Sequence, residues 1–487
     1  MKNIHCVLLS ARTGEGIIKK RMHIVRGLTA TFFILSICFV TAGALAQQFD
    51  RDRDQGQSQG NLDTLDPGPR AGSVSAGNPI QGLTPQQTAF FQNGLSQFIE
   101  VEGVTLTSPG NGGLGPTFNN DSCGSCHSQP AVGGSSPSTN AFPNVGQNPQ
   151  FTVGQQMGGT NIIPFFVTSD GPIREPRFKS DSAVHDVFTI AGRSDAPGCS
   201  MAQPDFAAEA AMGNLSFRIP TPLFGAGLIE NISENTILAN LAASASRQLG
   251  IAGIPNRSGN DASITRFGWK AQNKSLLLFA GEAYNVEMGV TNELFPNERG
   301  YPPNPIPSSC LFNPTPEDRT VFESTDPTQV SSDVNSFANF MRFLDQPIPA
   351  CTSTACSQQI QTGRAIFGAI GCANCHTPSL GTASSEMAPG LSQVRANLFS
   401  DLALHHMGQN LADGISQGNA GPDQFRTAPL WGLGQRVFFL HDGRTSNLTQ
   451  AIQAHASPGS EANRVIQNYE QLSRDNKQNL ILFLRSL

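Results

Sequence analysis

The feature that most constrains this chain is a five-residue pattern that occurs twice, as Cys-Gly-Ser-Cys-His at 123–127 and as Cys-Ala-Asn-Cys-His at 372–376. Two thiols spaced by two residues can both add to the vinyl groups of one porphyrin, and the adjacent histidine then lies under the iron. A zinc site would need a second Cys/His pair nearby, which neither motif has, and a redox CxxC needs no histidine after it. The sequence therefore predicts two covalently bound c-type haems. The residues predicted to hold them are Cys123, Cys126 and His127 for the first haem, and Cys372, Cys375 and His376 for the second.

The first 46 residues have the composition of an export signal. Basic residues between Lys19 and Arg26 precede an apolar stretch at about 28–40, and Ala44-Leu45-Ala46 offers a small-x-small cleavage site. The apolar stretch is short for a spanning helix, although an uncleaved membrane anchor remains the alternative. We therefore expect a periplasmic protein that does not associate with the membrane after cleavage of its signal.

Composition limits the classes of protein to which the chain can belong. It has 487 residues, with 49 Gly, 33 Pro and only 14% charged residues, which is typical of a loop-rich globular protein with two or three domains. The net charge is -6, and no Lys/Arg-rich cluster follows the signal. Nucleic acid is therefore not an expected partner.

Four cysteines lie outside both the signal and the two motifs: Cys199, Cys310, Cys351 and Cys356. Disulfides persist in exported proteins, and four cysteines allow three pairings. We favour Cys351 with Cys356, which closes a small loop and leaves Cys199 with Cys310. The alternative is that all four are free buried thiols.

The hydrophobic pattern predicts a mainly α-helical fold. Residues 47–80 are rich in Gln, Asp, Gly, Ser and Pro and are predicted to be a disordered leader. Short strands are predicted around 162–167. Helices are predicted from Thr84 onward and at 230–249, 275–284, 330–344, 358–370 and 470–487.

An internal repeat predicts the domain organisation. Phe267-Gly268-Trp269-Lys270 in the first half corresponds to Leu440-His441-Asp442-Gly443-Arg444 in the second, and a helix start follows each string. The simplest interpretation is two cytochrome c-like domains with long loop insertions. We place the N-terminal domain at 81–315 and the C-terminal domain at 316–487.

The ligand on the far side of each iron decides what that haem can do. A haem with two protein ligands carries electrons, whereas an open position lets a small oxidant reach the iron. The candidate side chains after the signal, apart from the two motif histidines, are His185, His405, His406, His441, His455, Met288 and Met407. The residue pattern alone does not choose among them.

From about Thr84 to the C-terminus, the chain resembles the "di-haem oxidoreductase, putative peroxidase" family, also called thiol oxidoreductase-like, which is related to the bacterial di-haem cytochrome c peroxidases. The resemblance rests on ordered strings around and between the two motifs. They are 113–119 (Gly-Leu-Gly-Pro-Thr-Phe-Asn), 130–134 (Pro-Ala-Val-Gly-Gly), 217–220 (Phe-Arg-Ile-Pro), 227–230, 266–271, 400–402, 406–408, 425–432 and 441–444.

The resemblance implies roles for individual residues. In the related peroxidases a Glu in a Glu-Met-Gly string is the acid/base over the N-terminal haem, and Glu287 occupies that place here. The upstream glutamine of those peroxidases is replaced, with Phe279 at the best-matching position. For the second haem, His455 is the first candidate for the distal ligand and Met407 the second. His185 could cap the first iron, although a structural role is the favoured interpretation.

The remaining polar and aromatic candidates have weaker assignments. We expect His405, His406 and His441 to organise hydrogen bonds around haem propionates or at the domain contact. Trp269 and Trp431 could carry charge between the haems, although core packing is the favoured interpretation for each. A calcium ion between the domains is also implied by the resemblance, without assignable ligands.

The resemblance implies peroxide reduction at the N-terminal haem. Electrons would come through the C-terminal haem from a small periplasmic donor, either a cytochrome c or a cupredoxin. One alternative is pure electron transfer, favoured by the missing glutamine and by Met288 beside Glu287. Another is a di-haem oxygenase or oxidase acting on an organic or protein substrate, because long loops set substrate range.

Overall fold

The computed structural model describes residues 65–71, 76–105, 112–137, 148–243, 249–301, 305–351 and 356–487. Residues 65–487 belong to one unit of the fold. The predicted signal peptide (1–46) lies outside the described residues, as does the predicted leader up to residue 64.

Most of the regular secondary structure in the described residues is helical, and the strands are two to four residues long. The helices are α1 (Pro85–Ile99), α2 (Cys123–Cys126), α3 (Pro149–Val153), α4 (Phe206–Ala211), α5 (Ala226–Glu230), α6 (Glu234–Ala242), α7 (Leu276–Met288), α8 (Pro327–Val330), α9 (Asp333–Phe343), α10 (Gln358–Ala369), α11 (Gly408–Leu411), α12 (Leu448–Gln453), α13 (Asn463–Glu470) and α14 (Arg474–Ser486). The strands are β1 (Thr117–Phe118), β2 (Glu175–Phe178), β3 (Phe188–Thr189), β4 (Leu215–Arg218), β5 (Leu380–Gly381), β6 (Arg395–Ala396), β7 (Leu404–His406) and β8 (Gln424–Arg426). They form four antiparallel pairs, β1–β3, β2–β4, β5–β6 and β7–β8. The prediction of a mainly helical chain with a few short strands is confirmed.

The helix boundaries follow local capping signals. At the start of α1, Thr84 and Gln87 form a capping box, in which each side chain satisfies the other's backbone N–H. The prediction of helical structure over 230–249 is wrong in its bounds, because helix α6 covers Glu234–Ala242, and residues 244–248 lie outside the described residues. The Ser233 side chain accepts a hydrogen bond from the N–H of Thr236 and begins a new helix after the turn that ends α5.

The prediction of strands around 162–167 is also wrong, because this stretch is irregular in the structure. Phe166 and Val167 are buried in the main hydrophobic core. Their apolar character therefore reflects packing of a loop against the core, which a short β-branched or aromatic run cannot distinguish from a strand.

Each half of the chain closes with a similar pair of crossing helices. In the first half α1 packs against α9 and in the second α10 packs against α14. A glycine stands at each crossing because the backbones touch there. A Cβ at Gly94 would collide with the carbonyl of Ser336, and a Cβ at Gly363 would collide with that of Asn479.

The loop predicted from the sequence repeat is also duplicated in the structure. The backbone of Phe267 pairs with that of Asn273, and the backbone of Phe439 pairs with that of Thr445. A capped helix follows each loop, α7 after Ser275 and α12 after Asn447. The internal repeat therefore has a counterpart in backbone structure as well as in sequence.

Part of the predicted disordered leader is packed onto the folded body. Leu65 is buried, and both oxygens of Asp66 accept hydrogen bonds from the Arg485 guanidinium on α14 at 2.8 Å. Ile80 is buried in the main core. The described residues of 65–80 are therefore ordered, because one ion pair and two apolar anchors fix an otherwise polar segment.

The predicted domain boundary at 315/316 stays a prediction, but helix α9 bears on its position. Although α9 follows the predicted boundary, it packs against α1, α5 and α7, which all precede it. Phe337 and Phe340 of α9 lie in the same core as Phe98 of α1. The helix that closes the first half therefore comes from beyond residue 316.

Two disulfides join the four remaining cysteines in the pairing that the sequence favoured. Cys199 is bonded to Cys310, and Cys351 is bonded to Cys356. Among the helices that the structure describes, none has the length and hydropathy to cross a membrane.

Candidate haem-binding sites

Two of the cavities in the described residues are each lined by one Cys-x-x-Cys-His motif. The space in the first is about 1050 Å³ and in the second about 1410 Å³, both including the part that opens to solvent. Both linings are mostly apolar, as a porphyrin requires. The two motifs therefore face cavities whose lining suits a large, mostly apolar cofactor.

In the first cavity, His127 has the orientation of a metal ligand. Its Nδ1 donates a hydrogen bond to the carbonyl of Gly134 at 3.0 Å, which leaves Nε2 as the metal-binding nitrogen. Burial lowers the pKa of His127 to about 4, so the ring is neutral. A neutral imidazole with a fixed tautomer is the form that binds a metal.

The second motif histidine is held in the same way. His376 Nδ1 donates to the carbonyl of Phe399 at 3.0 Å, and burial lowers its pKa to about 4. Phe399 itself has a φ of 49°, a left-handed conformation that is unusual for a non-glycine residue. The local backbone strain therefore lies at the residue that orients the histidine.

His455 lines the second cavity together with His376, as predicted for the distal ligand. Its Nδ1 donates to the carbonyl of Ala451, one turn earlier in α12, at 2.7 Å. Both histidines thus have Nδ1 bound to a backbone carbonyl and Nε2 available within one cavity. Met407, the second candidate, lines the same cavity. The structure brings together all three candidate ligands of the second haem.

Two buried arginines give the second cavity a site for anionic groups. Arg426 and Arg436 both line it, and burial lowers the pKa of each to about 10. Arg426 donates through Nε to the carbonyl of Gly268, but its buried Nη1 has no partner. Neither arginine forms an ion pair with any carboxylate in the described residues. A buried cation needs an anionic partner, and the propionates of a haem are anions of suitable size. These residues therefore fit a haem.

The first cavity contains a carboxyl pair that includes the predicted catalytic residue. Glu287, near the C-terminal end of α7, is hydrogen-bonded to the side chain of Glu175 on β2. The Asn119 amide also donates to Glu287 Oε2 at 3.0 Å. The Arg177 guanidinium forms an ion pair with Glu175. No local pattern in the sequence selects Glu175, Arg177 or Asn119, although Asn119 ends the matched string before the first motif.

An amide side chain is present in the first cavity despite the replaced glutamine. Phe279 lines this cavity, as the sequence comparison implied for that position, and so does Gln272. The buried Oε1 of Gln272 has no hydrogen-bond partner. Gln272 belongs to the repeated loop, at the position that corresponds to Arg444. An amide lining this cavity is therefore supplied from a different part of the chain than the resemblance implied.

Trp269 lines both cavities and therefore lies in the wall between them. Its indole Nε1 donates to the carbonyl of Ile219 at 2.8 Å, which fixes the ring. Trp431 is buried in the main core beside Gly225 and lines neither of the two described cavities. The two tryptophans of the chain therefore have different environments, and only Trp269 is a candidate bridge.

His185 is not brought to the first cavity. Its ring stacks on Phe178 at 3.6 Å, and Nε2 contacts the Asp181 carboxylate at 2.9 Å. The described residues that line the first cavity do not include it. This agrees with the structural role that the sequence favoured for this histidine, and we do not retain it as a ligand candidate.

The other three histidines have hydrogen-bonding or packing roles around the second half. They are His405, held between Asp401 at 2.9 Å and Glu461 at 2.8 Å, His406, paired with Asp423, and His441, stacked on Phe425 at 4.3 Å. His405 and His441 line the second cavity. Burial lowers the pKa of His441 to about 4, so it is neutral and cannot balance an anion.

In the parts of the chain that the structure describes, no cluster of three or more His, Cys, Asp or Glu side chains could hold the calcium ion that the resemblance implies. Between the halves lies a buried cation of the protein itself. The Lys270 ammonium contacts Asp413 at 3.1 Å and donates to the carbonyls of Gly421 and Gln424.

Comparison with known proteins gives one match to a family and weak similarities to solved structures, among them the following two. A chain of Kuenenia stuttgartiensis hydrazine synthase is 17% identical, with a TM-score of 0.22 over 33% of this chain and 56% of the other. A MauG-like protein associated with microbial copper homeostasis is 16% identical, with a TM-score of 0.22 over 34% of this chain and 55% of the other. The matches span about half the length of either solved chain, and similarity at this level supports no inference. A search of curated protein sequences found no significant match.

The family match covers most of the described body. A family model described as "Di-haem oxidoreductase, putative peroxidase" matches residues 172–487, which is more than half of the chain. This segment contains the second motif, Trp269 and Glu287, whereas the first motif lies before it. The chain belongs to the di-haem oxidoreductase family.

Proposed function

We propose that this chain is an exported oxidoreductase with two covalently bound c-type haems in two cytochrome c-like units. The first cavity would hold the haem at which hydrogen peroxide is reduced, and the second would hold a haem that passes electrons to it. The duplicated helix pair and the duplicated loop support two related units. The two cavities, each with its own motif, support one haem in each.

The observation that carries this proposal is a difference between the two repeats. His455 stands seven residues after Leu448, the first residue of α12, and Ala283 stands seven residues after Leu276, the first residue of α7. Both residues line their respective cavities. At the position where the second cavity has a candidate distal ligand, the first has a methyl group, and Met288, which also lines the first cavity, contacts the thiol of Cys123 at 3.7 Å. A haem with two protein ligands carries electrons, and one with an open position binds small molecules.

Protein residues around the first cavity supply what peroxide reduction needs. A c-type haem supplies an iron centre at which a peroxide O–O bond can accept two electrons. Overall, one hydrogen peroxide, two electrons and two protons give two water molecules. Glu287 handles protons inside the cavity, and Arg177 adds positive charge nearby. Trp269, which lines both cavities, offers a route for electrons between them.

The proposal is tested by the spin state of each haem before and after peroxide addition. EPR and optical spectra of oxidised and half-reduced protein should show one high-spin and one low-spin haem. Peroxide should consume the high-spin signal and oxidise the second haem. Two low-spin haems that are indifferent to peroxide in both states would instead support pure electron transfer.

Replacing the proposed distal ligand should convert the second haem to high spin. In a His455→Ala variant the second iron loses its second nitrogen ligand, so its low-spin EPR signal should disappear while the haem content stays at two. Met407→Ala is the matched control, because Met407 lines the same cavity. If Met407→Ala removes the low-spin signal and His455→Ala does not, the assignment of the ligand is reversed.

Replacing Trp269 should slow electron transfer between the haems. A Trp269→Phe variant keeps an aromatic ring but loses the indole and its hydrogen bond to Ile219. The rate at which the second haem is oxidised after peroxide is added, followed by stopped-flow absorbance, should fall several-fold. Trp431→Phe is the control, because this tryptophan is equally buried but lines neither cavity. Equal rates in the two variants would exclude Trp269 as the bridge.

The electron donor and the compartment are part of the same proposal. A haem that receives single electrons one after another needs a small soluble donor, either a cytochrome c or a cupredoxin, and c-type attachment is compatible with an exported protein. Purified donors of both types should be tested for oxidation that depends on peroxide. Oxidation of an added organic or protein substrate, with no oxidation of either donor, would favour the oxygenase or oxidase alternative.

A further inference from the structure

The first cavity contains a second acidic residue, Glu175, that the proposed function does not use. Glu175 opens strand β2, and its backbone pairs with that of Arg218 on β4. Its side chain is hydrogen-bonded to Glu287 and ion-paired with Arg177, and all of these residues line the cavity. The strand pairing therefore fixes this carboxylate beside the one on α7.

The two carboxyl groups are in opposite ionisation states. Burial raises the pKa of Glu287 well above its ordinary value, and the neighbouring Glu175 and Asp186 carboxylates raise it further. Although burial raises the pKa of Glu175 as well, Arg177 and the hydrogen bond to Glu287 outweigh that effect and lower it. At neutral pH one proton is therefore held between them, on Glu287. The other charged groups that face the pair are Arg218 from β4, Asp186 from the residues before β3, and Arg299 from the loop after α7.

This arrangement creates a difficulty for Glu287 acting alone. A protonated carboxyl group cannot take the first proton from hydrogen peroxide unless its own proton leaves at the same time. The group that can accept that proton directly is the ionised carboxylate hydrogen-bonded to it, Glu175. Asn119 donates to Glu287 Oε2 and can hold the carboxyl group in place but cannot accept a proton there.

We propose that Glu175 is the proton acceptor that makes Glu287 work as a base in the first cavity, so that the acid/base unit is a carboxyl pair. The inference rests on the proposed peroxide reduction. Glu175 acts through Glu287 and is therefore a positioning residue that also stores the proton. The neighbouring Arg177 keeps Glu175 ionised and ready to accept it.

The proton transfer is balanced without any further reactant. A lone pair of Glu287 accepts a proton from hydrogen peroxide, while the proton that Glu287 already carries passes to Glu175. The products are the hydroperoxide anion and two neutral carboxyl groups. Later the transfer runs in reverse, and the stored proton returns through Glu287 to the oxygen that leaves as water. No electron moves in either step.

The alternative is that Glu175 has only a structural role, as the ion-pair partner of Arg177 that orders strand β2. The structural role and the proton-accepting role predict different effects of the isosteric change Glu175→Gln. Glutamine preserves size and hydrogen bonding but cannot accept the proton. A structural role predicts lower stability with an unchanged pH profile, whereas the proposed role predicts a lower kcat and a shifted pH profile.

The experiment is steady-state peroxide reduction by the full di-haem protein across pH, with both haems confirmed by absorbance. In Glu175→Gln, kcat should fall on the order of 10²-fold, as expected for loss of a proton-transfer partner, with little change in KM. The acidic limb of the kcat profile should move to higher pH, because Glu287 must then ionise by itself in a buried site that disfavours its charge. Glu175→Asp should recover part of the rate, because it restores the carboxylate.

Glu323→Gln is the matched control, because Glu323 is exposed and lies far along the chain from either motif. It should leave kcat, KM and the pH profile unchanged. If the wild-type protein reduces peroxide and Glu175→Gln matches it in kcat and in the acidic limb, the carboxyl-pair inference is wrong while the proposed function stands. If the wild-type protein with two haems does not react with peroxide, the proposed function fails first. Should Glu175→Gln lose haem, Glu175→Asp and Arg177→Gln decide together. An unchanged rate and an unshifted acidic limb in both variants would then contradict the inference.

Discussion

A Cys372→Ala/Cys375→Ala double variant should carry one haem instead of two and should lose its turnover of hydrogen peroxide. The two thiols line the second cavity with His376, and they are the groups through which that haem would be attached. Without it, electrons from an external donor have no relay to the first cavity. Haem content, measured by the pyridine haemochrome spectrum and by the mass of the intact protein, should show the loss of one haem per chain.

The control for this variant is Cys351→Ala/Cys356→Ala, which also removes two closely spaced cysteines but takes them from a disulfide. It should retain both haems, with at most a modest loss of stability because the closed loop is short. Dithionite reduction of the Cys372→Ala/Cys375→Ala variant should still show the spectrum of the first haem. Two haems per chain in the Cys372/Cys375 variant would contradict the attachment that the motif predicts.

A Glu287→Gln variant should keep both haems and their spectra but reduce peroxide about 10²–10⁴-fold more slowly, the usual cost of losing a general acid/base. Glutamine accepts the hydrogen bond from Asn119 and fills the same space, but it cannot exchange a proton. The loss should appear in kcat rather than in KM, since the site still admits peroxide. Stopped-flow mixing of half-reduced protein with peroxide isolates the first turnover and measures the effect directly.

Glu293→Gln provides the comparison, because Glu293 follows α7 by a few residues and is exposed. Its rate should equal that of the wild-type protein. A Glu287→Gln variant with full activity would remove the acid/base role from this residue, and the high-spin iron would then have to react without a carboxyl group from α7.

The sequence alone predicted the features whose chemistry is local. A Cys-x-x-Cys-His string places two thiols and an imidazole within about one helical turn, so neighbours in the chain are neighbours in space and no folding information is needed to interpret it. The same holds for helix α1, whose capping box and apolar spacing lie within one short segment. Where a tertiary contact intervened, prediction failed. Phe166 and Val167 in the loop at 162–167 are apolar because they are buried in the core, and the described residues of 65–80 are ordered because Asp66 pairs with Arg485.

The sequence by itself determined that two haem-type motifs exist, that the chain is mainly helical and that its halves repeat. The sequence also shows that the two repeats differ at one equivalent position. Seven residues after Leu276 the first repeat has Ala283, and seven residues after Leu448 the second has His455. Only the tertiary structure decided which side chains share a cavity. Strand β2 and helix α7 bring Glu175 to Glu287, and the repeated loop places Trp269 in the wall of both cavities. Those contacts join residues far apart in sequence, and their energies depend on burial and on charges from several elements at once, which no local pattern of residues encodes.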